Sequence, residues 1–296
     1  MNPWNGVLTA TATPFRADLT LDFDKYAEHV AWLASNGTHG VIPNGSLGEY
    51  QVLTHDERAK MVETAIAAAP KGFNVVPGVS AYGAAESRRW TEHAAEAGAR
   101  AVMLLPPNAY RAGDDEVVAH YKEVGKAGIP IICYNNIFDT KVDLTPKLVS
   151  RIADEVPMVV AIKEFSVDVR RIWQLKKLAP RIEVIVGADD VFLELSTAGI
   201  SGWIAGFSNA LPKESMELYN LATAGKFAEA VPMYAALHDV FNWDSKKEFI
   251  QAIKLAMDYV GRYGGPTRLP RLRLPQHEQD QVKREMEFAL AYFKNR

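Results

Sequence analysis

Lys163 closes the apolar run Val159-Val160-Ala161-Ile162 and is followed by Glu164. Side chains of an extended strand alternate between two faces, so Lys163 shares a face with Val159 and Ala161. That face turns toward either a barrel interior or a layer of helices, and both are dry surroundings for an ammonium. On spacing alone two readings stand level. One is a lysine that snorkels to solvent at a strand end; the other is a lysine whose charged form is disfavoured by desolvation, which lowers its pKa. The second matters because only a neutral amine attacks a carbonyl. At the reference pKa of ~10.4 roughly one lysine in 2500 is neutral at pH 7, whereas a pKa of ~7 to 8 leaves about a tenth to a half neutral.

Two further groups suit carbonyl chemistry. Gly45-Ser46-Leu47-Gly48-Glu49 sets a hydroxyl and closely spaced amides between two glycines, a fitting cradle for a carboxylate. Gly-x-x-Gly also closes ordinary turns. Tyr134 ends the apolar run preceding that of Lys163, where its phenol is suited to pass protons during carbinolamine formation and breakdown. A core tyrosine with a satisfied hydroxyl leaves the same signature.

The elements that must position these groups alternate between apolar runs and helical patterns, as in parallel βαβ units. Eight runs precede residue 225: Val7 to Thr13, His39 to Asn44, Asn74 to Val79, Ala101 to Pro106, Pro130 to Asn135, Val159 to Phe165, Glu183 to Gly187 and Gly202 to Phe207. Between them apolar residues recur at helical spacing, as in Tyr26, Val30 and Leu33. Thr54 with Glu57 reads as a capping box, and Asp114 and Thr145 as helix N-caps. The first turn, Thr13-Pro14-Phe15, lacks the Gly-rich fingerprint of a dinucleotide-binding sheet. The expected fold is therefore α/β, a (β/α)8 TIM barrel over residues 1–225, with a helical C-terminal extension over 226–296 packed on it. The extension reads as helices over Lys226 to Asn242, Lys246 to Tyr259 and Gln276 to Lys294, with Gly264-Gly265-Pro266 and Pro270 making a loop.

The site of such a barrel lies at the C-terminal ends of its strands. That rule selects Asn44 to Glu49, Asn108 and Tyr110, Tyr134 to Thr140, Lys163, Asp189 and Asp190, and Ser208 and Asn209. One or both of Asp189 and Asp190 are expected to cap the following helix.

Composition excludes other classes. The 296 residues carry a formal net charge of -3 from 33 basic and 36 acidic side chains, which argues against nucleic acid or a membrane surface as partner. The N-terminus lacks the basic start and apolar core of a signal peptide, and no apolar run is long enough to span a bilayer. The single cysteine, Cys133, cannot form an internal disulfide and fits a buried position in a reducing cytoplasm. Seven histidines without paired spacing imply no metal site. Nothing marks a nucleophile elbow.

Taken together, Gly45-Ser46-Leu47-Gly48-Glu49, Tyr134-Asn135, Ile162-Lys163-Glu164, Gly187-Ala188-Asp189-Asp190, Gly202 and Asn209-Ala210-Leu211-Pro212 resemble the dihydrodipicolinate synthase and N-acetylneuraminate lyase family of class I pyruvate-type aldolases. They occur in family order across essentially the whole chain. The resemblance implies that Lys163 forms an imine with a 2-oxo acid, that Tyr134 is the general acid and base, and that Ser46 is the hydroxyl beside it. It also implies that the amides of Ser46 and Leu47 hold the substrate carboxylate, with Leu47 and Ile204 as substrate contacts, while the remaining polar groups Asp139, Asp189, Asn136 and Ser208 suggest a distal pocket that accepts hydroxyls or an amine. No cofactor beyond the Lys163 imine is implied, and members commonly form tetramers or dimers.

The pattern departs from the synthase branch at three points. That branch resembles Tyr-Asn-x-Pro-x-Arg-Thr, whose arginine binds a carboxylate of aspartate semialdehyde; here Tyr134-Asn135-Asn136-Ile137-Phe138-Asp139-Thr140 places an acid at the arginine position. A unit charge about 4 Å away is worth ~4 kcal/mol at an effective dielectric of ~20, so the reversal of sign is costly. Tyr110, in Pro106-Pro107-Asn108-Ala109-Tyr110-Arg111, is displaced from the family's tyrosine pair, and Ser46-Leu47 keeps one hydroxyl of a usual threonine pair. The leading expectation is a lyase or hydro-lyase acting on a hydroxylated 2-oxo acid, such as a 2-keto-3-deoxy sugar acid, by retro-aldol cleavage, dehydration or deamination. Pyruvate is its expected product or co-substrate. Two alternatives stand beside it: 4-hydroxy-tetrahydrodipicolinate (dihydrodipicolinate) synthase with an arginine from elsewhere, such as Arg111, and a non-catalytic 2-oxo acid sensor.

Overall fold

The computed structural model describes Asn2 to Lys294, in which eight parallel strands pair in the order β3-β2-β1-β8-β7-β6-β5-β4. They are β1 (Gly6–Ala10), β2 (Gly40–Ile42), β3 (Asn74–Val75), β4 (Val102–Leu104), β5 (Ile131–Asn135), β6 (Val159–Glu164), β7 (Glu183–Val186) and β8 (Gly202–Ala205). The sheet closes between its two outer strands. The Met103 amide donates to the Pro77 carbonyl at 2.9 Å and the Val79 amide to the Met103 carbonyl at 3.0 Å. Pro77 has no amide to donate toward β4, so this closing contact is a single bridge from Gly78 to Met103, while the Val76 and Gly78 amides still donate to the Val41 and Pro43 carbonyls on the β2 side. The result is the (β/α)8 barrel expected from the alternation, with strands shorter than their apolar runs and β1 starting one residue ahead of its run, at Gly6.

The helices are α1 (Phe23–Ser35), α2 (His55–Ala68), α3 (Ala84–Ala97), α4 (Asp114–Gly125), α5 (Ile137–Thr140), α6 (Pro146–Glu155), α7 (Arg171–Leu178), α8 (Phe192–Ser196), α9 (Pro212–Thr223), α10 (Phe227–Phe241), α11 (Phe249–Tyr259) and α12 (Gln276–Lys294). The Thr54 and Glu57 capping box opens α2, and Thr145 accepts the Leu148 amide at the start of α6. Asp114 does not cap α4. The N-cap is Gly113, whose amide goes to Glu116, and Asp114 begins the helix, where its charge favours the dipole.

Strands enclosed on both faces are mostly apolar, and one core runs without a break from them into the last three helices. Phe192 stacks on Trp203 with ring centroids 4.1 Å apart, and Phe241 of α10 meets the same indole edge-on. A smaller core of Phe15, Tyr26, Val30, Leu33 and Met61 lies under α1 and α2. None of the helices described is long and apolar enough to cross a membrane.

The tail also reaches back to the loop after β2. Lys254 of α11 donates to Glu49 Oε1 at 2.7 Å, with the two side chains only 2% and 1% exposed, and to the Pro266 carbonyl at 2.7 Å. The Arg268 amide takes the other Glu49 oxygen at 3.1 Å. Glu49 itself sits at φ 53°, a left-handed conformation that an ordinary side chain adopts only under such constraint. The tail thus fixes the end of Gly45–Glu49. Substituting Lys254→Met leaves the Glu49 carboxylate buried without its cation, so urea unfolding is expected to report a loss of ~3–5 kcal/mol. A loss below about 1 kcal/mol, the worth of a surface pair, would show that the pair does not hold the loop.

Candidate active site

The loops at the C-terminal ends of the strands surround a cavity of about 310 Å³. Its wall brings together six of the seven residues expected to form the site: Ser46, Leu47, Tyr134, Asp139, Lys163 and Ile204. They come from the ends of β2, β5, β6 and β8 and from the first turn of α5, so the closure of the barrel converts distant sequence positions into neighbours.

Lys163 faces the barrel interior and is 6% exposed. Its Nζ lies 4.2 Å from the ring centroid of Tyr134 and 5.8 Å from that of Phe165, two aromatic faces that accommodate a cation without hydrating it. Burial pulls its pKa down to about 8, against the opposing charges of Asp244, Asp189 and Asp139. About a tenth of such amines are neutral at pH 7. Gly187 makes this placement possible, because a Cβ there would lie 2.9 Å from Lys163 Cε and 2.7 Å from the Glu164 carbonyl. On the other face of β6 Glu164 is tied to Asn135 Nδ2 and the Ser166 amide, which locks the strand end.

Tyr134 pairs in register with Lys163 across β5 and β6. Burial, reinforced by the charges of Asp139 and Asp244, holds its phenol well above the ordinary range, so it stays protonated and able to donate. Asn136 Nδ2 donates to the phenol oxygen at 3.1 Å and to Asp139 Oδ2 at 2.9 Å. The Ser46 hydroxyl lies near enough to Tyr134 and Asp139 to lower both pKa values, yet it is buried and forms no well-aligned hydrogen bond. Nor do the Ser46 and Leu47 amides find a backbone acceptor among the described residues. A hydroxyl and two amides at one end of the cavity are therefore available to an anionic guest.

The remaining expectations are redistributed. Asp189 is fully buried and does not line the cavity. Its carboxylate is taken by Trp203 Nε1 at 2.9 Å and by the Gly206 and Phe207 amides at 3.1 and 2.8 Å, so it braces the turn after β8. Neither Asp189 nor Asp190 caps a helix: Asp190 accepts from Asn242 and Ser245 and anchors the tail. Ser208 and Asn209 are buried in bonds to Thr9 and to the Ala10 and Gly206 carbonyls. Tyr110 points outward, 56% exposed and bonded to Glu116, so this chain does not complete a three-hydroxyl relay with it.

Four charged cavity residues are not among the residues the strand-end rule selects: Asp244, Lys246, Lys247 and Arg271, all from the tail. The arginine that reaches the cavity is Arg271, whereas Arg111 is exposed outside it. Asp139 opens onto solvent at the rim, where partial shielding from water raises its pKa while Arg271 and the Asn136 hydrogen bond oppose that rise. No local pattern marks these tail positions, since they lie outside the strand-end rule. Among the described residues, no group of His, Cys, Asp or Glu is gathered in a way that could hold a metal.

A desolvated lysine beside a protonated phenol at the mouth of a (β/α)8 barrel defines an enzyme of the class I aldolase type. Comparison carries this further. The model of the dihydrodipicolinate synthetase family matches residues 3–289, and the chain belongs to that family. Its members work through a lysine Schiff base and no external cofactor. A 4-hydroxy-tetrahydrodipicolinate synthase of Anaplasma marginale (strain St. Maries) is 33% identical over 289 residues, covering 96% of this chain and 94% of the relative. One of Methanothrix thermoacetophila is 30% identical over 283 residues, covering 95% and 94%. The crystal structure of dihydrodipicolinate synthase from Aquifex aeolicus superposes with a TM-score of 0.91 at 26% identity, covering 96% of this chain and 97% of that one.

Two outcomes follow from the geometry. The rate of borohydride-trapped imine formation with pyruvate is expected to rise with pH and level off above about 8, because the amine becomes neutral as its proton leaves. A rate flat from pH 6 upward would contradict the lowered but still basic amine. Tyr134→Phe keeps the aromatic face and removes the hydroxyl, so kcat is expected to fall ~10²–10⁴-fold while the trapped adduct still accumulates. An unchanged kcat would take Tyr134 out of the proton path.

Proposed function

We propose that Lys163 condenses with the C2 carbonyl of a pyruvate-type 2-oxo acid and that the protonated imine serves as electron sink for making or breaking a bond at the adjacent carbons. The observation that carries this reading is the 6% exposed Lys163 with its pKa near 8, in one cavity with Tyr134 and Ser46. The free Ser46 and Leu47 amides are suited to the substrate carboxylate, Ile204 to its methyl or methylene flank, and Tyr134 to moving protons on and off the carbinolamine oxygen. A non-catalytic sensor has less support, since a sensor needs no neutral amine.

The names of the relatives favour 4-hydroxy-tetrahydrodipicolinate synthesis, the condensation of pyruvate with aspartate semialdehyde, over the hydroxylated 2-oxo acid reading. Arg271 supports it as the cation for a second carboxylate in place of the missing arginine. A second reading keeps a specific observation in its favour. Asp139 stands at the rim where the synthase arginine is expected, and Tyr110 is turned away. Both suit a guest bearing hydroxyls or an amine, such as a 2-keto-3-deoxy sugar acid, cleaved, dehydrated or deaminated through the same imine.

The test is borohydride reduction with pyruvate followed by peptide mapping, then turnover with pyruvate plus aspartate semialdehyde and with a panel of hydroxylated 2-oxo acids. An adduct on Lys163 and consumption of the semialdehyde support the synthase; an adduct with cleavage of the hydroxy acids alone supports the second reading. Absence of an adduct on Lys163 would end both. We further propose a cytoplasmic homo-oligomer, a dimer or tetramer. Support comes from the exposed aromatics Tyr82, Tyr110 and Trp173 and from the buried, unpaired Cys133. Sedimentation showing a monomer at micromolar concentration would overturn the assembly.

A further inference from the structure

The tail contributes one carboxylate to the chemical end of the cavity. Asp244 lies in the short 3-10 turn Asn242–Ser245 between α10 and α11, 7% exposed, and lines the cavity together with Lys163. Two missing side chains admit these groups. A Cβ on Gly206 would sit 2.6 Å from Asp244 Oδ1, and one on Gly187 would sit 2.9 Å from Lys163 Cε. Asp244 is held from the opposite side by the Asp189 amide, which donates to its Oδ2 at 3.2 Å. Asp189 and Asp244 are nonetheless unlike. The Asp189 carboxylate is saturated by an indole and two amides, whereas the only hydrogen bond found for Asp244 among the described residues is that one amide.

We propose that Asp244 is the group that takes the proton from the Lys163 ammonium and returns it to the departing hydroxyl when the imine forms. The proposal rests on the Schiff-base reading of Lys163. The titratable and charged groups around Asp244 are Lys163 from β6, Asp189 and Asp190 after β7, the neutral Tyr134 phenol from β5, Lys246 and Lys247 along its own segment, Arg271 on the cavity wall and Glu285 of α12, which accepts from the neighbouring Trp243 indole. Burial, with Asp189 and Asp190 beside it, pushes Asp244 well above the ordinary carboxylate range, and Lys163 alone among these opposes the rise strongly. The charge of each group stabilises the charge of the other, so Lys163 and Asp244 titrate as a pair across the cavity they both line.

The proton balance closes. The Lys163 ammonium passes one proton to the Asp244 carboxylate, leaving a neutral amine and a carboxylic acid. The amine lone pair forms the N–C2 bond as the carbonyl π pair moves to oxygen, and the nitrogen proton is carried to that oxygen through the Tyr134 and Ser46 hydroxyls. Asp244 then protonates the carbinolamine oxygen, the C2–O bond breaks and water leaves. The ammonium and ketone have become a protonated imine and water, with Asp244 again a carboxylate. Tyr134 and Asp244 thereby serve different transfers, the first within the carbinolamine and the second at its creation and collapse.

The test is the pH profile of the rate at which pyruvate and borohydride label Lys163. Asp244→Asn preserves shape and the acceptor for the Asp189 amide but cannot carry the proton. Its maximal labelling rate is expected to fall ~10²-fold, and its acid limb to move to lower pH, because the carboxylate that stabilises the Lys163 ammonium is gone. A merely structural role would lower the rate without moving the limb. In Asp244→Ala, added formate is expected to restore the rate in proportion to its concentration. A maximal rate within about threefold of the parent, an unmoved limb, or a folded alanine variant indifferent to formate would each overturn the proposal, since general acid-base catalysis is worth more than that. These outcomes leave the adduct on Lys163 intact and so are distinct from failure of the imine reading, which would show as no adduct in the unaltered protein.

Discussion

The constraint on which the rest of the structure depends is the cost of keeping an amine dry without losing its basicity altogether. Burial of Lys163 disfavours its ammonium, and the charges of Asp244, Asp189 and Asp139 oppose that effect until the pKa settles at about 8. Burial alone would carry it lower; with the same charges and free access to water it would stay near its ordinary value. The barrel provides the first term, because parallel strands covered on both faces exclude water from their ends. Loops and tail provide the second. The aromatic faces of Tyr134 and Phe165 reconcile the two by lying against a cation while adding no hydrogen bond that would fix its proton.

The tail is accordingly part of the site as much as of the scaffold. Lys254 and Arg268 fix Glu49 and with it the loop bearing Ser46 and Leu47. The turn between α10 and α11 brings in Asp244, and the segment before α12 brings in Arg271. Asp190 ties the turn to the end of β7 through Asn242 and Ser245. One continuous core joins these helices to the barrel, so apolar packing and these polar ties together set the positions of the charged groups.

Much of this was legible from local pattern. The alternation of apolar runs with capped helical segments led to the barrel, and the rule that chemistry gathers at strand C-termini led to Ser46, Tyr134 and Lys163, since a strand-end position is read from its own segment. Strand lengths were less legible: Pro77 thins the pairing with β4 from within its own run, but elsewhere pairing ends where a partner strand runs out, which is no property of the run itself. Asp189 shows the opposite limit. A polar residue after β7 fitted the rule, but the amides of Gly206 and Phe207 and the indole of Trp203 claimed its carboxylate. Whether an acid faces a guest or a backbone turn depends on donors from another strand.

By itself the sequence determined the order of elements, the two environments open to Lys163, and the residue types available to carbonyl chemistry, because these rest on spacing and composition within single segments. Only the tertiary structure decided which of those environments Lys163 occupies, that Tyr110 turns outward, and that Asp244 and Arg271 join the cavity from roughly a hundred residues away. The physical reason is that a side chain's pKa and partners are set by everything within a few ångströms, and closure of the barrel under its helical tail determines what lies there.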